Sequence, residues 1–227
     1  MAEFDAYAHN YAEVLAQGLA LSGENSSFYL QRRAAWLRDC LNELNVRPDS
    51  CLDFGCGCGD SAPELLTTLG LSTLTGVDAS ASQIKVARAR HAALKASFWN
   101  VDEFAPAGTF DLAYTNGVFH HIETKERVRW VQYINACLKP GAYFALWENN
   151  PWNPGTRYVM SRIPFDRTAI PLPFPEARSV VKDCGFRIIH TTFLFLFPRV
   201  LALFRRLEPL VARLPLGGQY QILSVKI

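Results

Sequence analysis

The stretch CLDFGCGCGD, residues 51–60, places three glycines on alternate positions, Gly55, Gly57 and Gly59, between the carboxylates of Asp53 and Asp60. Three chemistries compete for it: a dinucleotide loop, a metal site on Cys56 and Cys58 with Cys51 nearby, or a cradle for another nucleotide-like cofactor. Glycine lets the backbone approach a ligand closely, and a helix opening behind the turn presents unpaired N–H groups. Dinucleotide loops read G-x-G-x-x-G and seat a pyrophosphate on that helix end. Here the frame is G-x-G-x-G, and Asp60 stands where the third dinucleotide glycine belongs. Paired carboxylates repel a pyrophosphate and suit a ligand carrying ammonium or sulfonium charge. No G-K-[ST] follows, which excludes a Walker-type phosphate loop. Zinc sites usually need C-x2-C and a second distant pair, which this chain lacks. The thiols read as small residues in a tight loop, and no metal is expected.

Two further acids extend the pattern. Asp78 lies 19 residues beyond Gly59, where a strand-end carboxylate can accept from both ribose hydroxyls of an adenosine. Asp102, beside Glu103 and Phe104, is placed to accept from an adenine amino group, with apolar neighbours against the ring. Successive acids at successive strand ends describe one ligand lying across the carboxyl edge of a parallel sheet.

The elements that must position these groups follow from periodicity. Residues 1–45 read as two amphipathic helices broken near Ser22, Gly23 and Asn25, and Pro48 closes them off. From residue 50 strands and helices alternate. The strands are CLDF, STLTGVDAS, SFWNVD (ending at Asp102), TFDLAYTN and GAYFALWEN; the helices are SAPELLTTLG, SQIKVARARHAALKA and HHIETKERVRWVQYINACLKP. That alternation implies a parallel sheet with right-handed crossovers. Residues 150–175 then hold six of the thirteen prolines, so they cannot be a regular helix throughout and read as a functional loop over the strand ends. A helix PEARSVVKDCG, a strand FRIIHTTFLFLF, a helical PRVLALFRRLEPLVARL broken near Pro209 and a closing strand GGQYQILSVKI complete the chain.

Bulk properties exclude several classes. The 227 residues suit one domain with additions. A net charge of +2 is too small to imply nucleic acid. The basic face of residues 83–95 is the ordinary solvated face of a surface helix. The start of the chain carries acids and no apolar run, so no signal peptide is expected, and no membrane insertion is expected either. Six cysteines without a secretory signal read as reduced thiols in a cytoplasmic protein.

The ordered set LDFGCGCG, GVDAS, NVDEF, FDLAYTNGVFHHI and LKPGAYFALWE resembles the class I S-adenosylmethionine-dependent methyltransferases, small-molecule branch, over residues 50–150. That resemblance implies an α/β, Rossmann-like, doubly wound sheet of seven strands, mostly parallel, the last strand antiparallel between its neighbours. It implies a helical lid at 1–47 and a methyltransferase domain at 48–227. An acceptor-binding insertion falls at about 150–175, and a helical insertion at about 198–214 is a departure from the family outline. The cofactor implied is S-adenosylmethionine, leaving S-adenosylhomocysteine. Its methionine part would lie on Asp53, Gly55, Cys56, Gly57 and Gly59, its ribose on Asp78 with Ala79, and its adenine near Asp102, Glu103 and Phe104. Asn116 lines the same pocket and Tyr11 closes over it. Arg33 is a candidate for the cofactor carboxylate, with an exposed position as the default.

Methyl transfer needs alignment of nucleophile, methyl and sulfur, and a hydroxyl or amine acceptor also has to lose a proton. His120 is expected to be the base, with Glu148 orienting it and His121 turned into the packing. Adjacent helical residues point about 100° apart, so only one can face the acceptor. Tyr7, His121, Asn149, Trp152, Arg157 and Tyr158 are the acceptor-pocket candidates, with Phe165 on the same wall. The expected acceptor is a small molecule, methylated at oxygen, with nitrogen and carbon as alternatives. An RNA or protein methyltransferase, or a non-catalytic cofactor-binding partner subunit, are the rival readings.

Overall fold

The computed structural model describes residues 23–166 and 168–227, without the side chain of Phe165. Tyr7 and Tyr11 lie outside the described residues, as does the first helix expected for the lid.

The chain builds one seven-stranded sheet in the order β3-β2-β1-β4-β5-β7-β6. Helix α1 spans Ser26–Glu43, and Asn25 caps it by accepting the Phe28 N–H. Strand β1 is Ser50–Phe54, α2 is Ala62–Leu69, β2 is Thr73–Asp78 and α3 is Ala81–Arg90. Strand β3 is Ala96–Asn100, β4 is Phe110–Asn116, α4 is Arg127–Cys137 and β5 is Leu138–Asn149. Helix α5 is Pro154–Arg162, α6 is Phe174–Asp183, β6 is Phe186–Leu194, α7 is Glu208–Val211 and β7 is Gln219–Lys226. Strands β1 to β5 pair in parallel, and β7 runs antiparallel to both β5 and β6.

The expected seven strands and the antiparallel last strand are therefore present. Strand β1 is buried on both faces from Cys51 to Phe54, as befits an inner strand of a parallel sheet, and Asp53 is buried with it. One core layer packs Leu52, Val77, Phe119, Phe144 and Phe186; the other packs Leu37, Leu65, Leu74, Tyr114 and Trp147. Each large side chain fully removed from water in these layers contributes roughly 1.5–3 kcal/mol. Helix α1 joins the second layer through Ala34, Leu37, Cys40 and Leu41, and Trp36 Nε1 donates to Thr192 Oγ1 of β6 at 3.0 Å.

Four local expectations are corrected. The basic helix stops at Arg90 rather than reaching residue 95, because the chain must turn back to enter β3. Strand β3 ends at Asn100, where the Asn100 side chain accepts the Asp102 N–H at 3.0 Å and starts a turn. The segment from His120 to Pro140 is not one helix: 3₁₀ turns at Phe119–His121 and Thr124–Glu126 precede α4. Finally, the stretch expected to be helical is a 3₁₀ segment at Arg199–Leu207 with no buried residue, followed by the short α7. Val200 and Leu203 in that segment, and Leu210 in α7, are exposed.

No helix among the described residues is long and apolar enough to cross a membrane. All six cysteines are buried and none is joined in a disulfide.

Candidate functional site

The glycine loop earns its composition. Gly55, Gly57 and Gly59 have φ of +74°, +55° and +77°, a region that side chains with a Cβ rarely enter. Space is closed as well: a Cβ on Gly55 would strike Val118, and one on Gly57 would lie 2.8 Å from Gln83 Oε1. The loop is fixed from β2. Gly55 and Cys56 donate their N–H groups to Val77 O. Asp78 accepts from Gly57 N–H at 2.9 Å and from Ser80 N–H at 2.8 Å.

Above this loop lies a cleft of about 1380 Å³, bounded by the described residues of the strand ends, α1, α5 and the segment before α7. Ligand pockets for one small molecule usually occupy roughly 300–1,000 Å³, so the cleft has room for a nucleoside-sized ligand and a second, smaller one. Gly55, Cys56, Gly57, Asp78, Ala79 and Asn116 line it, as do His120, His121, Asn149 and Tyr158. Asp53 lies directly beneath the loop, 2% exposed, and Gly59 packs against His91 and Phe98. Glu148 is fully buried behind His120.

Other candidates fall elsewhere. Asp102 and Glu103 are exposed on the turn after β3, and Val101 lines the cleft in their place. Phe104 packs on Phe110, and its carbonyl accepts from Tyr133 Oη at 2.8 Å. Trp152 stacks edge-on against Phe174, and Arg157 is exposed; neither lines the cleft.

The buried polar atoms indicate what the loop can hold. Asp53 Oδ2 and Asn116 Oδ1 are buried acceptors without a hydrogen-bond partner. Burial lifts the Asp53 carboxyl to about 7, Asp78 and Asp60 add to the rise, and Arg33 opposes it. Such a group favours a cationic neighbour. The neighbouring thiols are unsuited to metal: burial first, then Asp53 and Asp78, push Cys56 well above its ordinary value, and burial with Asp60 raises Cys58. Only a thiolate ligates well.

Arg33, for which exposure was the default, is buried and lines the cleft. It donates from NH1 to Gln219 Oε1 at 3.0 Å, and Gln219 Nε2 donates to Asn149 Oδ1 at 3.1 Å. Its position on the inner face of α1 was readable from helical spacing with Ala34, Leu37 and Leu41; its charge had outweighed that signal.

Both histidines line the cleft, and the one expected to face the acceptor is the more deeply buried. His120 is the buried member, and its Nδ1 meets Glu148 Oε2 at 2.6 Å. Glu148 Oε1 accepts the Phe119 N–H at 2.7 Å. On the other side His120 Nε2 lies 3.5 Å from Asp166 Oδ1, and His121 Nε2 lies 3.4 Å from that same oxygen. Burial works against a charged His120, yet Glu148 and Asp166 outweigh it and hold the ring well above its ordinary value. Burial likewise opposes a charged Asp166, which the two histidines pull below the usual carboxylate range. A histidine held protonated cannot act as a general base at neutral pH. Asp166, hidden in the proline-rich stretch, carried no local signal, and only the tertiary contact identifies it.

Residues 52–144 match the family model described as a methyltransferase domain. A trans-aconitate 2-methyltransferase of Rhodopseudomonas palustris (strain BisB18) is 30% identical over 113 residues, covering 48% of this chain and 42% of that protein. Another, from Sinorhizobium medicae (strain WSM419), is 26% identical over 129 residues, covering 56% of this chain and 49% of that protein. The chain spans about half the length of the curated relatives it matches. Among solved structures, an S-adenosylmethionine-dependent methyltransferase from Mesorhizobium loti aligns with TM-score 0.60 at 19% identity, covering 85% of this chain and 98% of that one. A Haloferax volcanii chain described as a methyltransferase, solved with the activator Trm112, aligns with TM-score 0.68 at 18% identity, covering 99% and 97%. At these identities the solved structures establish the fold.

Proposed function

We propose, starting from the match of residues 52–144 to the methyltransferase-domain model, that the chain transfers the methyl group of S-adenosylmethionine to an oxygen of a small carboxylate. The observation that carries the cofactor half is the glycine loop: three backbone positions in the left-handed region that favours glycine, tied to Asp78 at the rim of a cleft with room for two ligands.

Bound there, S-adenosylmethionine would supply an activated methyl on a sulfonium that is already a good leaving group. The residues present fit it. Asp78 offers its outer lone pairs to ribose hydroxyls. Asp53 Oδ2 and Asn116 Oδ1 are acceptors in want of donors, which an ammonium would provide. Arg33 stands on the cleft wall as a carboxylate partner. Gln83, buried and with Nε2 unpartnered, is a further donor lining the same cleft.

The acceptor half rests on chemistry at the histidines. With His120 held cationic between two carboxylates, it does not serve as the base that a hydroxyl or amine acceptor requires. A carboxylate acceptor is already ionised at neutral pH and needs none. Lys125 and Arg129 also stand on the cleft wall, each paired with a glutamate of the same wall, Glu123 and Glu126, and the curated relatives are named for methylating aconitate. What remains for the protein is alignment and exclusion of water, which is where most of the gain in such displacements arises.

Two measurements test the reading. Calorimetric titration of S-adenosylhomocysteine into the wild type and Asp78→Ala should give binding only, or at least tenfold more tightly, in the former; equal affinity, or none in either, removes the cofactor assignment. Labelled methyl transfer to a panel of small carboxylates, phenols, amines, RNA and protein should score on carboxylates. Transfer confined to another class would refute the acceptor assignment while leaving the cofactor standing.

A further inference from the structure

We propose that His120, His121 and Asp166 form a divalent metal site in the wall of the cleft, with an open coordination position facing the acceptor; the acceptor's role rests on the function proposed above, the metal site does not. Sequence spacing of the cysteines gave no reason to expect a metal, and it does not bear on these three residues. Their donor atoms all lie within 4.8 Å of one another.

The distances favour a shared ion over hydrogen bonding. Charge-assisted N–H···O bonds run to roughly 2.7–2.9 Å. The two Nε2-to-Oδ1 separations here are 3.5 and 3.4 Å. Two donors held about 2.0–2.1 Å from a tetrahedral zinc-like ion stand roughly 3.3 Å apart. Two of the three edges of the cluster therefore already have the length found in a coordination polyhedron, and the third is bounded at 4.8 Å.

The groups behind the cluster match that role. Glu148 occupies Nδ1 of His120 at 2.6 Å, leaving Nε2 as the coordinating nitrogen. Carboxylate–histidine–metal arrangements use this contact to fix the ring and raise its basicity. The segment that brings Asp166 is pinned to the turn carrying the histidines. Ile170 N–H donates to His120 O at 2.7 Å, and buried Arg127 donates to Phe119 O, Ile122 O and Ile170 O. Charge balances too: with two imidazole ligands, the carboxylates of Glu148 and Asp166 compensate one divalent cation. Three protein ligands and a position open to the cleft describe a catalytic kind of site, since structural zinc sites are closed by four. An oxygen of the acceptor carboxylate is the ligand that suits the open position.

The test uses the full chain, stripped with a chelator and titrated with Co²⁺ alone, read by calorimetry and by the visible spectrum of the ion. One Co²⁺ per chain should bind. His121→Ala and Asp166→Asn should each weaken binding at least tenfold, and Glu148→Gln by about 10–100-fold through the orientation of His120. His121→Gln serves as a second, volume-conserving variant should the alanine form fail to fold. The absence of saturable binding overturns the proposal. So does stoichiometric binding left unchanged by the His121 and Asp166 substitutions, which would put the ion elsewhere. S-adenosylhomocysteine affinity, measured on the metal-free protein in parallel, separates the two readings: its loss removes the methyltransferase assignment without touching the metal site, and its retention with no Co²⁺ bound does the reverse.

Discussion

The Asp78 carboxylate accepts the Gly57 backbone N–H at 2.9 Å, tying the end of β2 to the middle of the glycine loop across 21 residues. Its second oxygen takes the Ser80 N–H at 2.8 Å, at the start of α3. One side chain thus shapes the loop before it meets any ligand. Asp78→Ala should cost about 1.5–3 kcal/mol of stability, since hydrogen bonds to a charged group are lost, and should weaken S-adenosylhomocysteine binding. Urea melts and calorimetry on the same samples check both; a stable variant with unchanged affinity would contradict this role.

Gly55 supports a sharper test, because backbone strain and steric clash can be separated. Its φ is +74°, and an added Cβ would meet Val118. Gly55→Ala should destabilise by about 1–3 kcal/mol from strain at a left-handed position together with the clash. Adding Val118→Ala should restore only the clash component. Full rescue in the double variant would mean that the backbone conformation carries no cost.

Much of this arrangement was legible in the sequence. The five parallel strands, the glycine loop and Asp78 all follow from short-range pattern, since strand ends and left-handed turns are written in neighbouring residues. The errors cluster where long-range contacts decide. The ring of His120 is claimed by Glu148 from β5 and by Asp166 from the proline-rich stretch, so neighbouring residues could not rank it against His121. Asp102 was placed by assuming that β3 continues two residues further, but the Asn100 side chain ends it. Arg33 carries a charge that points to solvent by type, while its helical phase matches the buried face.

Asp53 gives a pH dependence whose sign is fixed. Its carboxyl sits at about 7 against an ordinary 3.8. Below 3.8 both folded and unfolded chains hold the proton. Between 3.8 and 7 the folded protein keeps it while the unfolded chain loses it, so stability falls as pH rises through this window and stays low above it. Asp53→Asn should remove that slope and gain on the order of 2–4 kcal/mol at pH 8, with little difference from wild type below pH 4. The same substitution should weaken binding of a cationic ligand. Denaturant melts across this pH range check it; a wild-type profile that rises from pH 4 to 7 while Asp53→Asn stays flat would contradict the sign.

Arg127 is the joint behind the histidines. It is 1% exposed and donates to Phe119 O, Ile122 O, Ile170 O and Glu176. Arg127→Met keeps much of the volume and leaves three carbonyls without their donor. A loss of about 2–4 kcal/mol is expected. Turnover should fall with the altered spacing of His120 and Asp166, while S-adenosylhomocysteine affinity stays near the wild-type value. Equal losses in both would place Arg127 in general scaffolding.

Strand β7 lies between β5 and β6, and β6 reaches the sheet only through it. A chain made as far as residue 218 would have five parallel strands, a bare β5 edge and an orphaned β6. Its Arg33 would also lack Gln219, the first residue of β7 and its partner in the cleft. The sheet therefore closes only when β7 is added: this strand acts as a latch, and a chain without it cannot present a finished cleft.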